Sequence, residues 1–339
     1  MEEVVEVAEG LPPVTDLLES AVVVRLPMRT RFRGLTSRET MIFRGPAGWG
    51  EFGPFVEYAD DEAATWLAAG VEAAYLGAPA PLRDAVPVNA TVPAVDAEEV
   101  AGILARYPGA RTAKVKVAER GQTLDDDVAR VTAARSVVQH VRIDANGAWT
   151  VAQAIRAIRA IGDVEYAEQP CATVEELAEV RRSVDVPIAA DESIRKADDP
   201  HRVVAADAAD VAIIKVAPLG GMRSTLELAE TIGLPVVVSS ALDSAVGIAA
   251  GVAAAAALPS LGHACGLGTG TLFTTDVAVG FTPVDGVVAP RWFGPADIDP
   301  RHLAVAEADR DQWWRERLRR CHAVLCARGS APAWATDRD

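Results

Sequence analysis

Residues 112–118 read TAKVKVA, a β-branched and apolar run that contains two lysines, Lys114 and Lys116. In a β-strand alternate side chains share a face, so Ala113 and Val115 point to one side and both lysines to the other. An exposed antiparallel sheet would place the lysines in solvent, whereas a closed parallel barrel would place them in its interior. A buried lysine must be paired or have a shifted pKa. The fold of the surrounding chain therefore decides what these lysines do.

The composition indicates a folded protein with a substantial core. At 339 residues the chain is long enough for one large domain, or for a large domain with a smaller companion, and half of its residues are apolar. The 48 acidic residues outnumber the 33 basic ones, and the net charge of −15 argues against nucleic acid or an anionic membrane as a partner. The four cysteines are scattered without metal-site spacing, which is typical of reduced thiols.

No segment of the sequence indicates export or membrane insertion. The first ten residues, MEEVVEVAEG, are acidic and lack the basic start and apolar stretch of an export signal. The most apolar stretch, SAVGIAAGVAAAAAL at 244–258, is shorter than the ~20 residues of a membrane helix and predicts a buried, alanine-rich helix. We expect a cytoplasmic protein without an obligate protein partner.

From residue 87 onward the chain repeats a short β-branched strand, a turn and a helical stretch. This alternation favours parallel pairing, since each crossover is long enough to hold a helix. Eight strands of this kind predict a TIM-type barrel, with an open doubly wound sheet as the alternative. The predicted strands are 87–92, 113–118, 141–146, 164–170, 186–193, 211–218, 234–241 and 263–269.

Polar residues recur at the C-terminal ends of five of these strands. Asp144, Glu168, Asp191, Lys215 and Ser239 follow one another at intervals of 24, 23, 24 and 24 residues. Each interval equals one strand plus one helix, so these residues should lie at a similar height on successive strands. In a barrel that end of the strands carries the active site. The alternative is a chance distribution of acids among surface loops.

Three carboxylates on adjacent strands would repel one another without a cation among them. A set of oxygen ligands without His or Cys favours Mg²⁺, with Mn²⁺ as a substitute. An amine close to other cations has a lowered pKa and can serve as a base near neutral pH. A divalent ion that stabilises charge on carboxylate oxygens would assist removal of the adjacent proton. We therefore expect a small-molecule carboxylate substrate, with Lys114 or Lys116 as a base.

These residues resemble the enolase superfamily, in particular its muconate-lactonizing-enzyme-like subgroup. The resemblance implies an α/β fold: a (β/α)7β TIM-type barrel over residues 87–290 and an α+β capping domain over residues 1–86. A C-terminal segment, 291–339, would pack back on the cap and barrel. The matching motifs are KVK at 114–116, RIDANG at 142–147, EQP at 168–170, ADES at 190–193 and IIK at 213–215.

The resemblance also assigns catalytic roles. Asp144, Glu168 and Asp191 would be the metal ligands. Lys116 would be the general base and Lys215 the lysine opposite it. Supporting roles fall to Lys114, which would tune Lys116, and to Asn146.

Further segments match parts of the superfamily that contact substrate. The segment RTRFRGLTSRE, at 29–39, resembles a loop that closes over substrate, and WGEFGPF at 49–55 matches a signature in which Glu51 is structural. The segment SSALDSAVG has Asp243 where the family often has Glu, which leaves its role open. The implied substrate-contacting residues are Ser239, Ser240, Gly266, Gly268, Thr269, Arg31 and Arg33.

Within the superfamily, RIDANGAW at 142–149, SSALDSAVG at 239–247 and CGLGTGTLFTTDV at 265–277 resemble the dehydratases that form o-succinylbenzoate in menaquinone biosynthesis. The resemblance implies Mg²⁺-dependent syn-elimination of water from 2-succinyl-6-hydroxy-2,4-cyclohexadiene-1-carboxylate, through α-proton abstraction by a lysine and a metal-stabilised enediolate. N-acylamino-acid racemisation or dipeptide epimerisation by the same lysines is the alternative. The segment CGLGT lacks the paired acids of epimerases and favours the dehydratase. Muconate-type cycloisomerisation and an inactive, ligand-binding barrel are less favoured.

Overall fold

The computed structural model describes residues 10–194 and 199–328. The interpretation of MEEVVEVAEG as lacking an export signal therefore falls almost wholly outside the described residues. Within the described ranges, no helix combines the length and apolar character needed to cross a membrane.

The described chain contains twelve strands and ten α-helices. The strands are β1 (Val22–Phe32), β2 (Leu35–Gly45), β3 (Gly48–Phe52), β4 (Val86–Pro87), β5 (Ala90–Val92), β6 (Thr112–Lys116), β7 (His140–Asp144), β8 (Ala167–Glu168), β9 (Ile188–Ala190), β10 (Val211–Ile214), β11 (Val236–Val238) and β12 (Val287–Val288). The helices are α1 (Val14–Ser20), α2 (Asp60–Leu76), α3 (Val100–Leu104), α4 (Leu124–Arg135), α5 (Val151–Ile161), α6 (Val174–Ser183), α7 (Asp199–Ala205), α8 (Met222–Thr231), α9 (Ala245–Ala257) and α10 (Ala308–Ala327).

The N-terminal region is an antiparallel sheet, in the order β1-β2-β3, with α2 packed against it. Helix and sheet approach closely because glycines meet between them: a Cβ at Gly50 would collide with the carbonyl oxygen of Gly70. Helix α10 returns to this region, and its buried Trp314 makes an edge-to-face contact with Phe52 at 5.8 Å. We call β1–β3 and α2 the cap. The domain boundaries at 86/87 and 290/291 stay predictions.

Strands β5 to β11 form one parallel sheet in which neighbours along the chain are neighbours in space. The sheet closes on itself because Cys265 bridges Val88 and Gly266 bridges Ser239, both in parallel. Backbone hydrogen bonds of 2.9 Å join this segment to the strand on each side. Closure confirms the predicted TIM-type barrel with an N-terminal cap and excludes the open doubly wound sheet.

The predicted barrel strands are longer than the observed ones, and two of them differ for a clear local reason. The strand predicted at 164–170 is only Ala167–Glu168, because Gln169 adopts a left-handed φ of 39° and Pro170 has no amide to donate. The strand predicted at 263–269 is reduced to two bridging residues before the chain turns into a 3₁₀ helix at Thr269–Leu272. Both segments still lie where the barrel requires them.

Both lysines of the KVK motif point into the barrel. Strand β6 pairs with β7 in register, with Lys114 opposite Arg142 and Lys116 opposite Asp144. The intervening Val115 points the other way and is fully buried in the core under the surrounding helices. Because both faces of the strand are covered, the lysines are interior charges and need partners.

Three consecutive barrel helices begin with the same local signal. A threonine precedes each of α4, α5 and α6. Its hydroxyl accepts a hydrogen bond from the backbone amide of the residue three positions later, and the side chain of that residue accepts one from the threonine backbone amide. The pairs are Thr123 with Asp126, Thr150 with Gln153 and Thr173 with Glu176. These capping boxes fix where the loops that follow β6, β7 and β8 end.

A glutamate of the cap begins a barrel helix. Glu72 lies on α2 and is fully buried. Its carboxylate accepts hydrogen bonds from the amides of Met222 and Arg223 and from the Arg223 guanidinium, the latter two at 3.0 and 2.7 Å. These amides open α8 and have no partner within the helix, so Glu72 satisfies them and opposes the positive end of the helix dipole.

We predict that Glu72→Gln lowers the free energy of unfolding by about 2–4 kcal/mol, because a neutral amide at this buried position removes the charge that Arg223 and the α8 amides face. Urea denaturation followed by circular dichroism measures the change. Glu227→Gln, at an exposed position of α8, is the matched control and should be near neutral. Equal midpoints for both variants would contradict the inference.

Candidate active site

Four charged side chains form a buried chain at the C-terminal ends of β6, β7 and β8. The Lys114 ammonium lies 2.6 Å from Glu168 Oε1 and 3.1 Å from Asp144 Oδ2. The Lys116 ammonium lies 2.5 Å from the same Asp144 oxygen and 2.5 Å from Asn146 Oδ1. Each buried cation is thus paired, as burial requires.

A second ion pair lies at the ends of the next strands. The Lys215 ammonium, just after β10, donates to both carboxylate oxygens of Asp191 at 2.8 and 2.5 Å. Asp191 follows β9, and both side chains are buried. The structure therefore places all three predicted acids at consecutive strand ends, flanked by the predicted lysines.

The buried charges shift one another's pKa values in opposite directions. Burial disfavours the charge on Asp144, but Lys116 and Lys114 outweigh it and hold the pKa of that carboxyl well below its ordinary value. Burial lowers the pKa of Lys116; Asp144 opposes this shift and Lys114 reinforces it. Burial also disfavours the charge on Lys114, yet Glu168 and Asp144 raise its pKa well above the ordinary value. Burial and the neighbouring Asp144 raise the pKa of Glu168 to about 8.

Backbone turns after the strands aim the polar side chains at one another. Asn146 has a left-handed φ of 47°, and its side chain joins Lys116 to Glu192 by accepting from the former and donating to the latter, at 3.1 Å. Gln169, also left-handed, accepts from the Asp191 amide at 3.0 Å and donates to Ser193 Oγ at 2.9 Å. Gln169 was not predicted as a site residue, because only the fold shows that it joins two loops.

Two cavities meet at Lys116. The first, here the inner pocket, has a volume of about 30 Å³. The second, the outer pocket, has about 290 Å³. The inner pocket is lined by Lys114, Lys116, Lys215, Asp144, Asp191, Asn146, Ser239, Ser240, Gly266, Thr269, Arg33, Phe32, Thr91, Ala241 and Leu242. The outer pocket is lined by Arg31, Phe32, Arg33, Gly34, Ala94, Lys116, Glu119, Arg120, Gly121, Gln122 and Asn146.

Most of the predicted site residues therefore meet at one place, with three exceptions. Arg31 lines only the outer pocket. Glu168 is buried below the inner pocket, against Lys114. Gly268 does not line either pocket; a Cβ there would press on Tyr107 and on the carbonyl of Asn89. The functional roles of all these residues stay predictions.

The sequence reasoning did not identify Phe32 and Thr91 as pocket residues. The Phe32 ring lies with its centroid 5.3 Å from the Lys116 ammonium, a cation–π distance, and lines both pockets. The one signal for Phe32 in the sequence is its position between Arg31 and Arg33 in the predicted closing loop. Thr91 lies opposite Lys114 on the neighbouring strand, a relation that strand register alone reveals.

The acids suit a hard divalent cation by their chemistry. As the side chains stand, no three His, Cys, Asp or Glu residues within 10–194 and 199–328 are arranged to hold a metal ion. Lysines instead pair with Asp144 and Asp191. Yet all three acids are oxygen donors on consecutive strands, and Glu168 Oε2 is buried without a hydrogen-bond partner among the described residues. The residues fit a divalent ion once the carboxylates turn from the lysines.

The comparisons with known proteins agree with this fold. Residues 96–294 match the family described as enolase C-terminal domain-like, and residues 23–74 match the enolase N-terminal domain-like family. Muconate cycloisomerase from Pseudomonas fluorescens has a similar structure, with a TM-score of 0.69 and 24% identity over 84% of this chain and 96% of that one. The chain is thus a member of the enolase superfamily, and this membership implies a divalent metal ion.

Two curated relatives show to which family within the superfamily the chain belongs. The o-succinylbenzoate synthase of Mycolicibacterium smegmatis is 61% identical over 93% of this chain and 99% of its own length. That of Mycobacterium tuberculosis is 60% identical over 93% of this chain and 97% of its own length. The chain belongs to the o-succinylbenzoate synthase family.

We predict that Glu168→Gln weakens Mn²⁺ binding by at least about 10-fold, because an amide cannot supply the anionic oxygen ligand that the Glu168 carboxyl offers when it loses its proton to the metal. Titration of free Mn²⁺ by electron paramagnetic resonance measures the affinity without any substrate. Glu179→Gln, exposed on the helix that follows β8, should bind as the wild type does. Unchanged affinity in Glu168→Gln would remove Glu168 from the ligand set.

Proposed function

We propose that the protein dehydrates 2-succinyl-6-hydroxy-2,4-cyclohexadiene-1-carboxylate to o-succinylbenzoate, the hydro-lyase reaction of its family. The observation that carries this proposal is the position of Lys116. Its amine lies between the buried acids and the outer pocket, so one group can contact both the acids and a bound ring. Burial also lowers the pKa of Lys116, which favours a neutral amine able to accept a proton.

In the first proposed step, the neutral Lys116 amine takes the proton from the ring carbon that carries the carboxylate. The C–H electron pair becomes negative charge on that carboxylate. In the second step this pair forms a ring double bond as the bond to the neighbouring hydroxyl breaks. Lys116, now an ammonium, donates its proton to the departing hydroxide, which leaves as water and an aromatic ring remains.

The other buried groups would hold charge around this proton transfer. We propose that Asp144, Glu168 and Asp191 would hold a divalent ion, Mg²⁺ with Mn²⁺ as a substitute. Such an ion would stabilise the negative charge that develops on the substrate carboxylate. Lys215 would stabilise the same anion from the opposite side. Asn146 accepts a hydrogen bond from Lys116 and would hold its amine toward the ring.

The size and charge of the outer pocket support a ring with a second carboxylate. The inner pocket has room for about one water molecule, whereas the outer pocket approaches the volume of a small-ligand site. Three arginines line the outer pocket, Arg31, Arg33 and Arg120, against a single acid, Glu119. In a chain of net charge −15, this local excess of positive charge favours a dianionic substrate such as the proposed one.

We predict that Lys116→Ala lowers kcat by at least about 100-fold, because the base and the acid of the reaction are lost together. The formation of the aromatic product is followed by ultraviolet absorbance, with Mg²⁺ and with EDTA. Lys116→Arg is the matched variant: it keeps the positive charge but cannot give up a proton, so it should fail equally. EDTA should abolish turnover by the wild type.

An active Lys116→Arg variant would show that charge alone suffices and would overturn the role of Lys116. If the wild type turns over no dehydratase substrate but exchanges the α-proton of N-acylamino acids with deuterated solvent, the same lysines serve racemisation. If the wild type shows neither dehydration nor α-proton exchange, the inactive, ligand-binding barrel is the interpretation that remains.

We predict that Arg31→Gln raises KM for the substrate by about 10-fold and changes kcat much less, because the guanidinium would contact the distal succinyl carboxylate rather than the reacting carbon. Steady-state kinetics at constant ionic strength separate the two constants. Arg29→Gln is the matched control, since Arg29 lies on the same strand but lines a different cavity. An equal rise of KM in both variants would indicate a general charge effect.

A further inference from the structure

Glu51 joins the cap to the barrel at the start of α9. It lies on β3 and is buried. Its carboxylate accepts hydrogen bonds from the Ser244 amide and hydroxyl at 3.0 and 2.7 Å, and from the Gly247 amide at 2.9 Å. The Thr40 hydroxyl donates to it at 2.8 Å. Glu51 thus satisfies groups at the N-terminus of α9, where the helix dipole favours a negative charge.

A second carboxyl group, Asp243, lies beside Glu51. Both come within 3.2 Å of the point that a Cβ at Gly247 would occupy, and both line one cavity of about 30 Å³ between α2 and α9. Among the described residues, Asp243 accepts one hydrogen bond, from the Ala241 amide at 2.9 Å. Two adjacent carboxylates in one enclosed space repel strongly, so the pair favours a state with one proton.

The hydrogen bonds decide which carboxyl group is ionised. Two of the partners of Glu51 are backbone amides, which can only donate, and the Ser244 hydroxyl already accepts from the Val246 amide at 3.2 Å. A proton on Glu51 would face these donors. Asp243 has fewer donors around it; burial and Glu51 raise its pKa to about 7, with Arg38 and Lys215 in opposition. Ionised Glu51 beside neutral Asp243 is the favoured arrangement.

We call Glu51 and the groups of Ser244 and Gly247 that donate to it the clamp. The clamp is continuous with the loop that carries Ser239 and Ser240, the serines predicted to face the substrate. Ser239 and Ser240 line the inner pocket, and the chain then passes through Leu242, which has a left-handed φ of 61°. The Arg38 guanidinium of the cap, stacked 4.4 Å over the Phe55 ring, donates to the Leu242 carbonyl at 3.4 Å. The cap therefore holds this loop at Leu242 and again at the start of α9.

We propose that Glu51 is a positioning residue: its ionised carboxylate, with the proton of the pair on Asp243, holds the loop at 239–247 so that Ser239 and Ser240 face the substrate. This inference rests on the proposed function for its kinetic consequence. A shift of a substrate contact by an ångström or less is enough to reduce catalysis substantially, although Glu51 touches no substrate.

The test exploits the difference between the two carboxyl groups. Asp243→Asn resembles the neutral acid already present and should keep kcat/KM within about threefold. Glu51→Gln offers an amide to donors and should lower kcat/KM by about 10- to 100-fold, mostly through KM, since Lys116 is untouched. Glu57→Gln, exposed on the cap, is the matched control. Glu51→Gln/Asp243→Asn should resemble Glu51→Gln alone.

A second readout needs no substrate and remains if the proposed reaction is wrong. Hydrogen exchange of the Ser244 and Gly247 amides, which donate to Glu51, should accelerate in Glu51→Gln and stay unchanged in Asp243→Asn. This measurement also separates loss of the clamp from global unfolding, because amides of the distant strands β6 and β7 should keep their protection. A Glu51→Gln protein that exchanges faster everywhere is unfolded; Glu51→Asp then replaces it, since its shorter carboxylate keeps the charge but withdraws from the α9 amides.

The pH dependence of stability tests the location of the proton. The folded-state pKa of Asp243, about 7, exceeds the ordinary value of 3.8. The stabilisation from its proton is therefore complete below about pH 4 and is lost as pH rises through 7. The groups facing Asp243 are Glu51, Arg38 and Lys215. The urea midpoint of the wild type should fall relative to that of Asp243→Asn between pH 5 and pH 8.

Opposite results would overturn the proposal. If Asp243→Asn loses activity and amide protection while Glu51→Gln keeps both, the charge lies on Asp243. If both variants keep wild-type KM and exchange, the loop does not depend on this pair. A wild type without turnover would refute the proposed reaction, whereas exchange and pH dependence would still decide the role of Glu51.

Discussion

The pairing of buried lysines with buried acids is the constraint around which the barrel interior is built. Lys114 and Lys116 point inward because their strand is covered on both faces, and an interior ammonium without a partner is costly. Asp144 serves both lysines, and Glu168 serves Lys114. Because the lysines share one acid, Lys116 is paired less completely than Lys114. Their pKa values accordingly shift in opposite directions although they lie two residues apart.

Buried carboxylates also hold the cap to the barrel, where they accept hydrogen bonds from backbone amides at helix N-termini. Glu72 satisfies the first amides of α8, and Glu51 accepts from the Ser244 and Gly247 amides at the start of α9. Both acids are buried, so each would be expensive to leave without the helix it caps. The two domains of the site therefore fix each other: the barrel helices need cap residues to begin, and the cap acids need the barrel to remain buried. In this arrangement the end of β1 lies beside Lys116, with the Phe32 ring centroid 5.3 Å from the lysine ammonium.

The periodic part of the site could be predicted from the sequence, and the contacts between distant segments could not. Asp144, Glu168, Asp191 and Lys215 recur at the length of one strand plus one helix, so counting alone placed them on successive strand ends. Glu51 meets Ser244 across 193 residues, and no local pattern encodes that contact. The last strand was predicted too long because its sequence does not show that the chain turns into a 3₁₀ helix at Thr269. In the fold, backbone bonds to both neighbours let two residues close the barrel.

The fold does not by itself select a reaction, since muconate cycloisomerase shares it. Selection must come from the residues that contact the rest of the substrate. In the proposed reaction these would be residues at the end of β1, in the β1–β2 turn and in the loop after β6, which line the outer pocket. Arg31 and Arg120 come from these two different segments, so a second carboxylate could bridge them as it enters. An ammonium-bearing substrate would meet repulsion at the same place, which favours an elimination on a dianionic ring over epimerisation of a dipeptide.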